Sequence, residues 1–161
     1  MNTADVLKYG NLTLLGSVEG LDAVDWETPG VCGVWSVRGI VAHLASYEAV
    51  LVEILDGFVG GNAPTPVLDR FRDPGANFND AEVAARASRS VEETLAELNG
   101  AHARVLDLIA EVPVDLARRA GTLPWYGEPY SLEDLLVYLY YGHKREHSAQ
   151  ILVFRDGLTR A

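Results

Sequence analysis

Apolar residues recur along this chain with a helical period. Val6, Leu7, Leu14, Leu15 and Val18 approximate a 3.6-residue repeat and predict a first helix from about Thr3 to Ser17. Gly20 and the segment from Asp25 to Gly33, with Pro29 and Gly30 inside it, predict a break and a loop. Trp35-Ser36-Val37 opens a second helix with Ser36 as its N-cap, and Ile40, Leu44, Leu51 and Leu55 carry it to about Phe58. Val91, Leu95, Leu98, His102, Val105 and Ile109 follow at spacings of 4, 3, 4, 3 and 4, a bundle-like seam in a third helix that starts near Asn79 or Asp80 and ends at Pro113. Ser131, with Asp134 three residues on, resembles a capping box. The fourth helix runs from there to about Arg155 and aligns Leu132, Leu135, Leu139, His143, His147, Gln150 and Phe154 on one stripe.

Between these helices lie connections rich in glycine and proline. Gly60, Gly61, Pro64, Pro66 and Pro74 mark a long one with a short helix expected over Val67 to Arg72, and Leu123 to Pro129 is another. No segment combines strict alternation with β-branched enrichment. The pattern predicts an all-α fold, a four-helix bundle, in a single domain spanning 1–161.

Charge and composition narrow the function. The net charge of −10, with no basic stripe, argues against nucleic acid and against an anionic membrane surface. No window approaches the apolar length of a membrane span. A single cysteine, Cys32, allows no intrachain disulfide and fits a reducing compartment, and Met1 to Asp5 does not begin a signal peptide, so a cytoplasmic location is expected.

The chemistry concentrates in histidine, of which there are four. His143 and His147 are four residues apart on the fourth helix, where Cβ atoms at that offset sit about 5–6 Å apart on one face. This is metal-ligand spacing. His43, on the second helix with Ile40, Tyr47 and Val50, is the third candidate ligand. Three imidazoles leave a fourth position open, the arrangement of catalytic rather than structural sites. His102, on the seam of the third helix, reads as a polar interruption hydrogen-bonded across the bundle. Lys144, Arg145 and Glu146 project to other faces and read as solvated. The stretch His143 to His147 also matches the H-x-x-E-H protease signature. That reading needs a further acidic ligand well downstream, and of the 14 residues that follow only Asp156 is acidic, so it is rejected. Cys32 reads as an incidental loop thiol. Trp35, Trp125, Tyr126, Tyr138, Tyr140 and Tyr141 read as packing residues or pocket walls.

The stretch from Pro29 to Leu44, with its Trp35-Ser36 helix start and His43 seven residues later, resembles the DinB-like proteins, also called the DinB/YfiT metalloenzymes. The later His143-x3-His147 pair and Asp25-Trp26 match the same pattern in order and spacing. The words Pro29-Gly30-Val31-Cys32-Gly33 are similar to the ClbS/DfsB branch, which protects cells against reactive natural products. Gly39 departs from the pattern, standing where many relatives carry an acid. The resemblance implies an up-down-down-up four-helix bundle with His43, His143 and His147 around one divalent metal. It also implies thiol-dependent transferase or isomerase activities that use mycothiol or bacillithiol.

The leading expectation is a metal-dependent enzyme, a transferase, isomerase or hydrolase, that brings a thiol or water to a small electrophile. Zinc is the default ion for imidazole ligands, with nickel, iron or manganese as alternatives. A non-catalytic bundle that binds a small molecule or pairs with itself is the competing class. The broad apolar coverage of the second helix, which includes Val41, Leu44, Leu51 and Val52, suggests a homodimer.

Overall fold

The computed structural model describes residues 1–158, so the last three residues of the predicted 1–161 domain lie outside the described residues. Asn2 caps α1 (Thr3–Val18) by accepting a hydrogen bond from the Asp5 N–H. The expected loop from Asp25 to Gly33 overlaps a short helix, α2 (Ala23–Glu27), whose Trp26 is buried. Ser36 accepts from the Gly39 N–H and starts α3 (Val37–Phe58), as its sequence predicts. The short helix expected in the long connection is α4 (Pro66–Arg72), with Pro66 in its first turn, where a missing N–H costs nothing.

The predicted third helix is two helices. α5 (Phe78–Ala85) stops at Arg86, and α6 (Val91–Glu111) restarts at Ser90. The restart is a capping box: Ser90 Oγ accepts from the Glu93 N–H at 3.2 Å, and the Glu93 carboxylate accepts from the Ser90 N–H at 2.8 Å. The bend is held by Arg86, whose buried guanidinium donates to Glu82 at 2.7 Å and Glu97 at 2.8 Å, while Arg70 of α4 reaches the other oxygen of Glu82 at 2.7 Å. Burial alone would raise the Glu82 pKa, but its hydrogen bonds and ion pairs with Arg86 and Arg70 outweigh that and hold it below the ordinary carboxylate range. One charged network thus ties α4, α5 and α6 together.

After the single turn of α7 (Val114–Ala117), the predicted capping box at Ser131 and Asp134 starts α8 (Leu132–Leu135). The helix does not stay regular. Leu136–Gly142 is π-helical, and α9 (His143–Leu158) resumes after it. Gly142 ends the wide turn, where a Cβ would stand 3.2 Å from the Val137 carbonyl oxygen.

Leu14, Val41, Leu98 and Ile151 share one apolar cluster, and Leu7, Leu51, Val105 and Leu136 share the other. Leu14 of α1 and Val41 of α3 therefore lie toward one end of the bundle and Leu7 and Leu51 toward the other, so the two helices run antiparallel. Leu98 shares a cluster with Val41 and Val105 with Leu51, and Glu48 meets His102 between them, so α6 runs parallel to α3. Contacts of Asn11 with Lys144 and of Ser17 with Arg155 make α9 parallel to α1. The order is up-down-down-up in an all-α bundle.

α3 lies in the middle of the packing. It contacts α2, α4, α5, α6 and α9, and most of its residues are buried. Its wide apolar coverage is therefore consumed within one chain. Among the described residues no helix is long and apolar enough to cross a membrane.

Ser90→Ala should destabilise the fold by about 1 kcal/mol through loss of the α6 cap. A urea unfolding midpoint unchanged from wild type would show that the α5–α6 break does not depend on that cap.

Candidate metal centre

His43 lies two turns into α3 and is 2 % exposed, His143 is the first residue of α9, and His147 is one turn further on. Their Nε2 atoms converge. Nε2 of His143 is 3.0 Å from Nε2 of His43 and 3.0 Å from Nε2 of His147. Ligand atoms of the three residues all lie within 4.8 Å of one another. The structure brings together all three residues that the spacing singled out.

The far side of each ring decides what these nitrogens present. Nδ1 of His147 is 2.8 Å from Gln150 Oε1, an acceptor, so Nδ1 carries the proton and Nε2 offers a lone pair. A hydrogen bond from His143 to the Leu139 backbone does the same for His143. Nδ1 of His43 is buried and has no hydrogen-bond partner among the described residues. Burial, and then His143 and His147 nearby, lower the pKa of His43 to about 3. Burial, and then His147, lower that of His143 to about 4. Burial also lowers the pKa of His147, against its bond to Gln150. The rings are neutral at pH 7. At least two lone pairs meet at hydrogen-bonding distance with no proton between them, which is repulsive in a bundle core. Neutral imidazoles aimed at one point are the donor set of a divalent cation, and the residues fit such an ion.

Aromatic rings enclose the cluster. Trp35 lies 4.9 Å from the His43 ring, and Tyr47 lies 4.7 Å from His43 and 4.5 Å from His143. Gly39 makes room for the tryptophan, since a Cβ there would come within 3.2 Å of Trp35 Cβ. Asp80 and Asn79 of α5 fasten these two residues, accepting from Trp35 Nε1 at 3.2 Å and from the Tyr47 hydroxyl at 3.3 Å. Phe71 and Phe78 pack on Tyr47, and Trp125 packs on Phe71. Both long connections therefore contribute rings that back Tyr47, directly or through Phe71. A cavity of about 450 Å³ lies against Trp35, with Ser36, Arg38, Gly39, Asp80 and Val83 in its wall.

One expectation is overturned. Lys144, expected to be solvated, is 2 % exposed, and its Nζ stands 2.6 Å from Oε1 of the fully buried Glu48. The π-helical turn explains the difference. Inserting wide turns moves the buried stripe from Leu136 and Tyr140 onto Lys144, His147, Ser148 and Ile151, so Lys144 faces inward beside the ligand pair. Glu48 was not recognised as a site residue, although a carboxylate between Leu44 and Leu51 on an otherwise apolar face was a signal. His102 is the predicted polar interruption: its Nδ1 donates to Glu48 Oε2 at 3.0 Å. Burial would raise the Glu48 pKa, but Lys144 and His102 outweigh it and hold the carboxyl below its ordinary range. Arg145 and Glu146 are exposed, as expected.

Histidines kept neutral by burial are protonated first in the unfolded chain. The metal-free protein should hold its full stability above the ordinary histidine pKa of 6.5 and lose it as pH falls toward the folded values of about 4 and about 3. Each proton taken up on unfolding contributes a slope of about 1.4 kcal/mol per pH unit. Urea titrations across this window should show a slope that His143→Gln reduces by one proton. An unchanged slope would mean that His143 is not held neutral.

The model of the mycothiol maleylpyruvate isomerase N-terminal domain matches residues 13–135. No curated protein and no solved structure matches the chain. The matched span includes Trp35, Ser36 and His43 and stops short of the π-helical turn, so the pairing of His43 with His143 and His147 is established by the geometry described above. Since the match covers most of the chain and the bundle has the expected order, the chain belongs to the mycothiol maleylpyruvate isomerase N-terminal domain family, within the DinB/YfiT-like superfamily.

Proposed function

We propose that His43, His143 and His147 hold one divalent metal ion, zinc by default for imidazole ligands, and that the protein is a thiol-dependent transferase, isomerase or hydrolase acting on a small electrophile. The observation that carries this reading is the convergence of the three Nε2 atoms, with the His143 and His147 tautomers set from behind by Leu139 and Gln150. A divalent ion held by neutral ligands alone supplies uncompensated positive charge, which lowers the pKa of a water or thiol beside it. The family name points to mycothiol as the thiol co-substrate.

The protein's own residues contribute orientation and dryness. Gln150 fixes the His147 ring and Leu139 fixes the His143 ring, so each presents the same nitrogen without a rotational search. Trp35 and Tyr47 cover two sides of the cluster and keep bulk water from the imidazoles. Nickel, iron and manganese are the other ions that imidazole accommodates, and availability in the cell selects among them.

Protein purified without chelator and without a histidine tag should contain one metal equivalent, and His43→Ala, His143→Ala and His147→Ala should each abolish it. Full metal content in all three variants would sink the proposal. Gln150→Ala should keep the fold and weaken metal binding about 10–100-fold. Metal-loaded protein, screened with mycothiol, bacillithiol, glutathione and water against small electrophiles, should turn over above the His143→Ala background. Absence of turnover with every nucleophile would favour a binding module over an enzyme.

A further inference from the structure

Each of the four long helices sends one polar side chain to the same buried point. Asn11 comes from α1, Glu48 from α3, His102 from α6 and Lys144 from α9, and none is more than 6 % exposed. Glu48 is the centre. Its Oε1 meets Lys144 Nζ at 2.6 Å, at an angle outside a well-aligned hydrogen bond, and its Oε2 accepts from His102 Nδ1 at 3.0 Å. Lys144 Nζ also donates to Asn11 Oδ1 at 3.1 Å. The hydroxyl of Tyr140, in the π-helical turn and beside Glu48, is buried without a hydrogen-bond partner among the described residues.

We infer that Glu48 and Lys144 are positioning residues for the histidine site, a buried ion pair that sets the rotation and axial register of α9 against α3 so that His143 and His147 arrive at His43. The inference rests on the metal reading of those histidines. Lys144 directly follows His143, and Glu48 is five residues after His43 on the same helix. The two helices are thus joined at two points about 7.5 Å apart along α3, given a rise of about 1.5 Å per residue. One join is a single contact between neutral imidazole nitrogens, His43 Nε2 and His143 Nε2 at 3.0 Å, which a change of tautomer or a small ring rotation can remake in another position. The other is charged, and it accepts only one pairing.

The third arm supports the same role. Gly10 precedes Asn11 and lets α1 lie against the π-helical turn: a Cβ there would stand 3.3 Å from the Tyr141 ring and 3.7 Å from Lys144 Cδ. The lysine stem passes beside Gly10 while its ammonium group is held by Asn11 and Glu48. Stability is a poor account of this arrangement. Burying two charges costs most of what their attraction returns, and apolar replacements of such pairs are often neutral or stabilising. A metal site, by contrast, needs its ligands held to within about 0.5 Å, and a pairing that exists in only one register provides that.

The test separates register from stability. Glu48→Gln with Lys144→Met removes the ion pair, leaves no lone buried charge and keeps an acceptor for His102. The double variant should unfold at or above the wild-type temperature, yet bind Zn(II) about tenfold more weakly by calorimetry at neutral pH. Zn(II) affinity equal to wild type in the folded double variant would overturn the inference and leave the metal reading standing. Leu108→Ala, a core truncation away from the network, should lower the melting temperature and leave Zn(II) affinity unchanged. An equal loss of affinity there would assign the effect to general loosening and overturn the inference. Should the double variant not fold, Asn11→Ala, which removes only the contact to Lys144, should weaken Zn(II) about threefold, within the range of outer-shell effects, and an unchanged affinity would again overturn it. Failure of wild-type protein to bind Zn(II) would instead sink the metal reading, and this inference with it.

Discussion

A helix surrounded by other helices cannot send its polar side chains to water, and α3 is in that position along most of its length. Every buried polar group it carries must find its partner within the protein. Ser46 turns back to its own backbone, bonding the His43 carbonyl at 2.7 Å. Tyr47 finds Asn79, Glu48 finds His102 and Lys144, and His43 faces His143. These demands largely determine which residues the neighbouring helices must offer, and at what height. The bundle is organised as much by the polar requirements of α3 as by its apolar surface.

The apolar surface was the part most legible in the sequence. Period, caps and breakers located the four long helices, because an amphipathic stripe and a Ser or Asn before it are local properties of the chain. The histidine cluster was legible for the same reason: His143 and His147 share a helix face, and His43 lies on an inward face of another. The break between α5 and α6 was not. Its cause is the capping box at Ser90 and the buried Arg86 network, and the second of these depends on where Arg70 and Glu97 arrive in space.

The inward turn of Lys144 was hidden for a different reason. A regular helix continued from Leu132 would place this lysine on the flank, and nothing in Leu136 to Gly142 announces a wider turn to a periodicity argument. Glu48 was equally opaque until its partner was in place, because a charge on an apolar stripe is expected to be rare rather than paired. The distribution of these misses follows a rule. Local chemistry could be read from the chain, while the pairing of Glu48 with Lys144 and of Arg86 with Glu97 depends on where separate elements arrive in space.

The π-helical turn also bears on how such a site is gained and lost over generations. A helix advances about 100° per residue, so relaxation of the Leu136–Gly142 segment to regular geometry with no residue removed would swing everything after it by about that angle. His143, His147 and Lys144 would rotate away together, and side chains now on the flank would take their places against α3. The rest of the bundle would still have a helix to pack against. A substitution that lets this turn regularise could therefore separate lineages that keep the histidine cluster from lineages that keep only its scaffold.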